Sequence, residues 1–251
     1  MSTPARCSSA IFSSGGTARP NISAVSAGHR RRSAAASATS DIPILGTSIT
    51  AYGVALDMDD FTGTVGGNIS GTSDLADLEK QAAMITEWFP EAKKVALLFC
   101  SAEPNSRYQI EEVAKYLADA GIETEEYAFT DTNDVASVAQ AACDYADVIY
   151  IPTDNTAAAN TEAIANVLIP AGVPAICGEE GLCSGCGVAT LSISYYDLGK
   201  TTGQMAAKIL TGEADISAMP IEYTNATPKY NPTICEALSI TPLDGYTAIE
   251  D

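Results

Sequence analysis

The chain has 251 residues, 46% of them apolar and 18% charged, enough to bury a core in one large domain or two small ones. Thirteen Lys and Arg stand against 32 Asp and Glu, a net charge of −19. So acidic a body repels phosphate backbones over about 8 Å at physiological salt and offers no basic stripe, which argues against nucleic acid as a partner.

The charge is unevenly placed. Residues 1–40 hold Arg6, Arg19, Arg30, Arg31 and Arg32 and no acid, which leaves 8 basic against 32 acidic side chains for the rest. The first 34 residues are rich in Ser, Ala, Arg and Gly and lack the run of about 7 to 15 apolar residues that a secretory signal needs. Residues 1–37 are therefore read as a disordered or aberrant extension, with an organelle transit peptide as the weaker alternative. No stretch approaches the roughly 20 apolar residues of a transmembrane helix. Seven cysteines (Cys7, Cys100, Cys143, Cys177, Cys183, Cys186, Cys235) give an odd count without the density of a disulfide scaffold, and the redox compartment stays open.

From Asp41 onward short apolar runs alternate with amphipathic stretches. Ile42 to Ile49 reads as a strand and Gly63 to Gly71 as a Gly-rich loop. Ser73-Asp74 then caps a helix with Leu75, Leu78, Ala82, Ile85 and Trp88 at helical spacing as far as Pro90. Val95 to Cys100 reads as a buried strand. Asn105-Ser106 opens a helix with Ile110, Val113 and Leu117 on one face, ending at Gly121, and Ile122 to Phe129 returns as a strand. A helix from Thr132-Asp134 to about Tyr145, a strand at Val148 to Ile151, a helix at Thr156 to Ala171 and a strand at Val173 to Cys177 follow. Strand Val188 to Ile193, helix Tyr195 to Leu210 and strand Ile221 to Thr224 complete the series. Such alternation predicts βαβ units and mostly parallel sheets, an α/β fold.

Polar residues gather just past carboxyl ends of strands: Ser101 to Ser106, Pro152 to Asn155, Gly178 to Gly181 and Ser194 to Asp197. In an open parallel sheet those ends share one edge, where ligands bind. The alternative for any single loop is that its polar residues only cap the next helix.

These motifs, taken with Asn68-Ile69-Ser70-Gly71-Thr72-Ser73-Asp74 and Tyr195-Tyr196-Asp197-Leu198-Gly199 in this order and spacing, resemble the ABC transporter substrate-binding proteins of the aromatic amino acid (tryptophan/tyrosine-type) group, over roughly residues 38 to 246. The resemblance implies a type I periplasmic-binding fold with two lobes, parallel sheets flanked by helices and hinge closure on a ligand in an interlobe cleft. Lobe I would take 38–101 and 190–214, and lobe II 102–189 and 215–246. It also implies partner permease and ATPase subunits on separate chains, an extracytoplasmic location, and in some bacteria a lipoprotein anchored by an N-terminal cysteine. Cys7 lacks the preceding apolar run for that role. The family's first lobe normally has further strand–helix units ahead of Ile42, so lobe I is expected to be N-terminally truncated, as from a shortened or frame-shifted gene model.

A zwitterionic amino acid suits the residues. Helix-start N–H groups at Asn105-Ser106 would take a carboxylate. Asp154 and Glu179 or Glu180 would pair with an ammonium group. Thr153, Asn155, Thr47 and Ser48 would supply orienting hydrogen bonds, and Tyr196 would stack on an aromatic ring. The family commonly has an Asp where this chain has Ser194, which removes one ammonium partner.

Three rivals stand beside this reading. A racemase- or transferase-like enzyme on an amino-acid substrate needs a base; the one histidine, His29, lies outside the matched body, which leaves acid–base work to the carboxylates of Asp154 and Glu180. A zinc site at Cys177, Cys183 and Cys186 lacks the second pair of a zinc ribbon; a local disulfide or two partly exposed thiols fits the C-x-x-C better. A transcription regulator needs a helix-turn-helix segment that residues 1–40 do not supply. The expectation is a binding protein with no catalytic residue, metal or cofactor.

Overall fold

The computed structural model describes residues 36–250 and, as backbone, Ser23–Ser26. In chain order its strands are β1 (Ser23–Ser26), β2 (Ile44–Thr47), β3 (Ile69–Ser73), β4 (Lys94–Cys100), β5 (Glu123–Phe129), β6 (Val148–Ile151), β7 (Ala175–Cys177), β8 (Ala189–Ser192), β9 (Glu222–Tyr223), β10 (Thr227–Tyr230) and β11 (Thr247–Ala248). Its helices are α1 (Tyr52–Leu56), α2 (Leu78–Trp88), α3 (Pro104–Asp119), α4 (Val135–Tyr145), α5 (Asn155–Ala158), α6 (Thr161–Ala171), α7 (Glu180–Cys186), α8 (Tyr195–Thr211) and α9 (Pro232–Ala237). The described residues fall into two compact units, one of those up to Leu75 with Ser194–Thr224, the other of Ala76–Ile193 with those from Asn225 on.

The first unit is built on a parallel sheet in the order β1-β2-β3-β9. Successive side chains of a strand face opposite sides. Accordingly Ile44 packs with Ile49, Tyr52, Ala55, Ile69 and Ile221, while Leu45 packs with Met205, Ile216 and Met219. Strand β3 is buried along its whole length although its sequence is Ile-Ser-Gly-Thr-Ser. Its hydroxyls are satisfied internally, as burial demands: Ser70 Oγ donates to Met219 O at 3.1 Å, Ser73 Oγ donates to Thr50 O at 2.9 Å, and Thr72 Oγ1 lies 2.9 Å from Thr202 Oγ1. One apolar residue in five gives no strand signal, which is why the sequence alone places this segment at the end of the Gly-rich loop. Helix α8 is capped by Ser194, whose hydroxyl accepts from Asp197 N–H, and ends on Gly212 in the left-handed region at φ 75°.

The second unit carries a seven-stranded sheet in the order β11-β10-β8-β7-β6-β4-β5, parallel from β5 to β8. Strand β10 runs antiparallel to β8, and β11 parallel to β10. Apolar Val95 to Cys100 is buried throughout and lies inside the sheet, between β6 and the edge strand β5, as an uninterrupted apolar strand requires a neighbour on each side. Leu98, Phe129, Ala139, Ile149, Ile151, Ile164 and Leu168 form the core against α4 and α6. Strand β5 is an edge whose Glu125 and Glu126 are exposed, charges of the kind that blunt edge-to-edge pairing.

Several expectations shift. Residues 76–101, assigned from sequence to lobe I, supply α2 and β4 to the second unit, and residues 190–193 belong there too; residues 215–224 belong to the first unit. An apolar run shows that a strand is central but not which sheet holds it. Four residues of the segment set apart from the fold, Ser23–Ser26, pair in parallel with β2. Helix α2 is capped by Asp77, whose carboxylate accepts from Lys80 N–H at 3.1 Å, rather than by Ser73-Asp74. Cys7 and His29 lie outside the described residues.

Candidate functional site

Strands β4, β6, β7 and β8 run parallel, so their carboxyl ends lie on one edge of the second unit's sheet. The polar loops are stitched together there. Asn105 Nδ2 donates to Thr153 O at 3.0 Å, Gln109 Nε2 donates to the same carbonyl at 3.2 Å, and Gln109 Oε1 accepts from Thr153 N–H at 3.0 Å. Thr153 Oγ1 donates to Gly178 O at 3.3 Å, and Gln81 Nε2 reaches the same carbonyl at 3.1 Å while accepting from the Tyr150 hydroxyl. Gly178 permits this closeness, since a Cβ there would stand 2.7 Å from the carbonyl carbon of Pro152. Gln81 and Gln109 are fully buried and escaped the sequence reading, since a glutamine inside a helix carries no signal of its tertiary role.

The acids expected to meet an ammonium group are engaged within the unit. Asp154 is 1% exposed and caps α5; Oδ1 accepts from Ala157 N–H at 2.8 Å and Oδ2 from Cys100 N–H at 2.7 Å, with the buried Ser106 hydroxyl as a third donor. Burial and the neighbouring Glu103 raise its carboxyl above the ordinary value, against the pull of those donors. Glu179 caps α7, accepting from Gly181 and Leu182 N–H. Glu180 holds the Ser192 hydroxyl and the Lys229 ammonium, the latter at 2.9 Å. Of the first-turn amides of α3, that of Ser106 already donates to Glu103 O, and Pro104 has none, so the anion site expected there narrows to Asn105.

Glu103 is the residue that sequence reasoning missed. Its carboxylate accepts from Asn155 N–H at 3.0 Å and Nδ2 at 2.8 Å, and from Thr156 N–H at 2.8 Å and Oγ1 at 2.7 Å. Burial alone would raise this carboxyl, but the four donors hold it below the ordinary 4.5. A carboxyl depressed on folding stabilises the protein above its unfolded value, and that contribution is lost as pH falls through the folded one. Glu103→Gln is therefore expected to melt below wild type at pH 7, with the gap closing as pH falls below 4.5. Melting curves of both proteins across pH 3 to 7 check this.

The first unit offers different chemistry. Thr47 ends β2, its Oγ1 3.4 Å from that of Thr72, and Ser48 follows at φ 54°, a left-handed conformation unusual for a serine. Tyr196, on the first turn of α8, is 81% exposed. Asp74 follows directly on β3 and is 6% exposed. Burial raises the carboxyl above the ordinary range; the Thr50 and Tyr195 side chains donate to the carboxylate, yet among the described residues its buried Oδ1 has no hydrogen-bond partner.

Cys183 and Cys186 form neither the local disulfide nor the partly exposed thiols expected of the C-x-x-C; they are free, buried thiols on α7, where Cys186 Sγ donates to Leu182 O and lies beside Cys177. The helix that Glu179 caps turns them inward. Among the described residues no group of three or more His, Cys, Asp or Glu side chains is arranged to hold a metal ion, and no helix is long and apolar enough to cross a membrane.

Comparison with known proteins adds the family context. Residues 22–245 match the model of a family described as ABC transporter substrate binding protein. A tyrosine-binding protein of Clostridioides difficile (strain R20291) is 29% identical over 197 residues, which are 77% of this chain; the chain spans 56% of that relative's length. A crystal structure of an ABC domain from Streptococcus pneumonia in complex with L-Trp superposes with a TM-score of 0.80 at 28% identity, covering 91% of this chain and 80% of that one. A ligand-free, open substrate binding protein with adhesive properties from Clostridium difficile gives 0.73 at 28% identity, covering 91% and 77%.

Proposed function

Since the chain belongs to the ABC transporter substrate-binding protein family and has the type I periplasmic-binding fold, we propose that it is a non-catalytic, extracytoplasmic receptor for a zwitterionic amino acid, most simply an aromatic one. The observation that carries the reading is its likeness both to a structure holding L-Trp and to a tyrosine-binding protein. It delivers its ligand to permease and ATPase subunits on separate chains.

Thr47, Ser48 and Tyr196 of the first unit and Asn105, Thr153 and Asn155 of the second are the ligand-facing candidates. All lie at carboxyl ends of parallel strands or on the first turns of the helices that follow. Ser106, Asp154, Glu179 and Glu180 serve instead to fix the loops that present them.

A thermal-shift screen against free amino acids tests the reading. Ligand at 100 times its Kd adds about 2.7 kcal/mol of stability. Tyrosine, tryptophan or phenylalanine is expected to raise the melting temperature, and Tyr196→Ala to weaken that response more than it weakens any response to an aliphatic amino acid. A chain that responds to no amino acid would remove this ligand class.

A further inference from the structure

A carboxylate taken out of water without a cation or a full set of donors is costly, and persists where something else completes it. Asp74 meets that description. Its Oδ1 is the one carboxylate oxygen among the described residues that is buried without a hydrogen-bond partner. None of the ion pairs among those residues involves it.

Its position is that of a ligand-binding residue. Asp74 is the residue after β3, and β2 and β3 run parallel, so it stands at the carboxyl edge of the first unit's sheet with Thr47 and Ser48. The side chains already bonded to its carboxylate, Thr50 and Tyr195, are uncharged hydroxyls and cannot neutralise it. Tyr195 begins the helix that carries the exposed Tyr196. Meanwhile Asp154 and Glu179 each cap a helix and Glu180 holds Lys229, which leaves the second unit's expected acids occupied.

We propose that Asp74 is the carboxylate that receives the ammonium group of the ligand. This deepens the amino-acid reading above and rests on it. A primary ammonium brings three donors and a full charge, enough to satisfy Oδ1 and to repay the cost of burying the carboxylate.

Calorimetric titration of the full chain and of Asp74→Asn with L-tyrosine and with its desamino analogue, 3-(4-hydroxyphenyl)propionate, tests the assignment. The wild type is expected to prefer the amine-bearing ligand by roughly 100-fold and the variant to lose that preference, as when one partner of a buried charge pair is neutralised. Without ligand the variant is expected to melt at or above the wild-type temperature, because an unpaired buried charge has gone. A variant that keeps the preference to within about threefold, or one that melts well below wild type, overturns the proposal and makes Asp74 a structural carboxylate. If the wild type ignores amino acids but binds other primary amines through Asp74, the amino-acid reading falls and the ammonium site stands. A wild type that binds no amine overturns both.

Discussion

Asp154→Ala is expected to remove about 3 kcal/mol or more from the stability of the second unit, since each buried donor left without its acceptor costs roughly 1 to 3 kcal/mol. Three donors lose their partner at once: the Cys100 and Ala157 amides and the Ser106 hydroxyl. The loop between β6 and α5 would also lose the carboxylate that starts the helix, a cap worth about 1 kcal/mol and already among those terms. Ligand affinity should fall in step with the folded fraction rather than beyond it. Chemical denaturation read alongside ligand titration separates the two. A variant as stable as wild type that no longer binds would return Asp154 to direct ligand contact.

The same carboxylate shows where sequence reading succeeds and stops. Strand-end placement was legible because βαβ alternation puts the loops after β4, β6, β7 and β8 on one edge, and apolar runs such as Val148 to Ile151 mark those strands directly. What each acid does there was not legible. A carboxylate that starts a helix and one that meets an ammonium group occupy the same positions in sequence, and only the Cys100 amide, 54 positions away, tells them apart at Asp154. Glu103 was invisible for the same reason, its four donors lying on Asn155 and Thr156. Strand β3 hid because hydroxyls bonded to distant carbonyls replaced the apolar side chains that announce a buried strand. Ser73-Asp74 ahead of a helical period is a common cap signal, but Asp77 takes that role and leaves Asp74 without it.

Gly71→Ala is expected to collapse the first unit. Gly71 lies opposite Gly46 in the β2–β3 ladder, and Tyr52, 2% exposed, packs against both. An added Cβ at Gly71 would overlap the carbonyl oxygen of Gly46 and the Tyr52 hydroxyl and stand 2.7 Å from the Gly46 carbonyl carbon. The obstacle is backbone, which no side-chain rotation relieves. The site also has φ 145°, a conformation that side-chain-bearing residues rarely adopt. Overpacking and strain of this kind together cost about 3 to 5 kcal/mol. Gly203→Ala supplies the contrast within the same unit: it sits inside α8 with nothing near the would-be Cβ, and should stabilise by about 0.5 to 1 kcal/mol. Urea denaturation followed by far-UV circular dichroism should therefore show an early transition for Gly71→Ala and a delayed one for Gly203→Ala. Because Asp74 follows the strand that Gly71 holds against β2, loss of ligand binding in Gly71→Ala should track that early transition, whereas Asp74→Asn should lose its preference for the amine-bearing ligand with the fold intact.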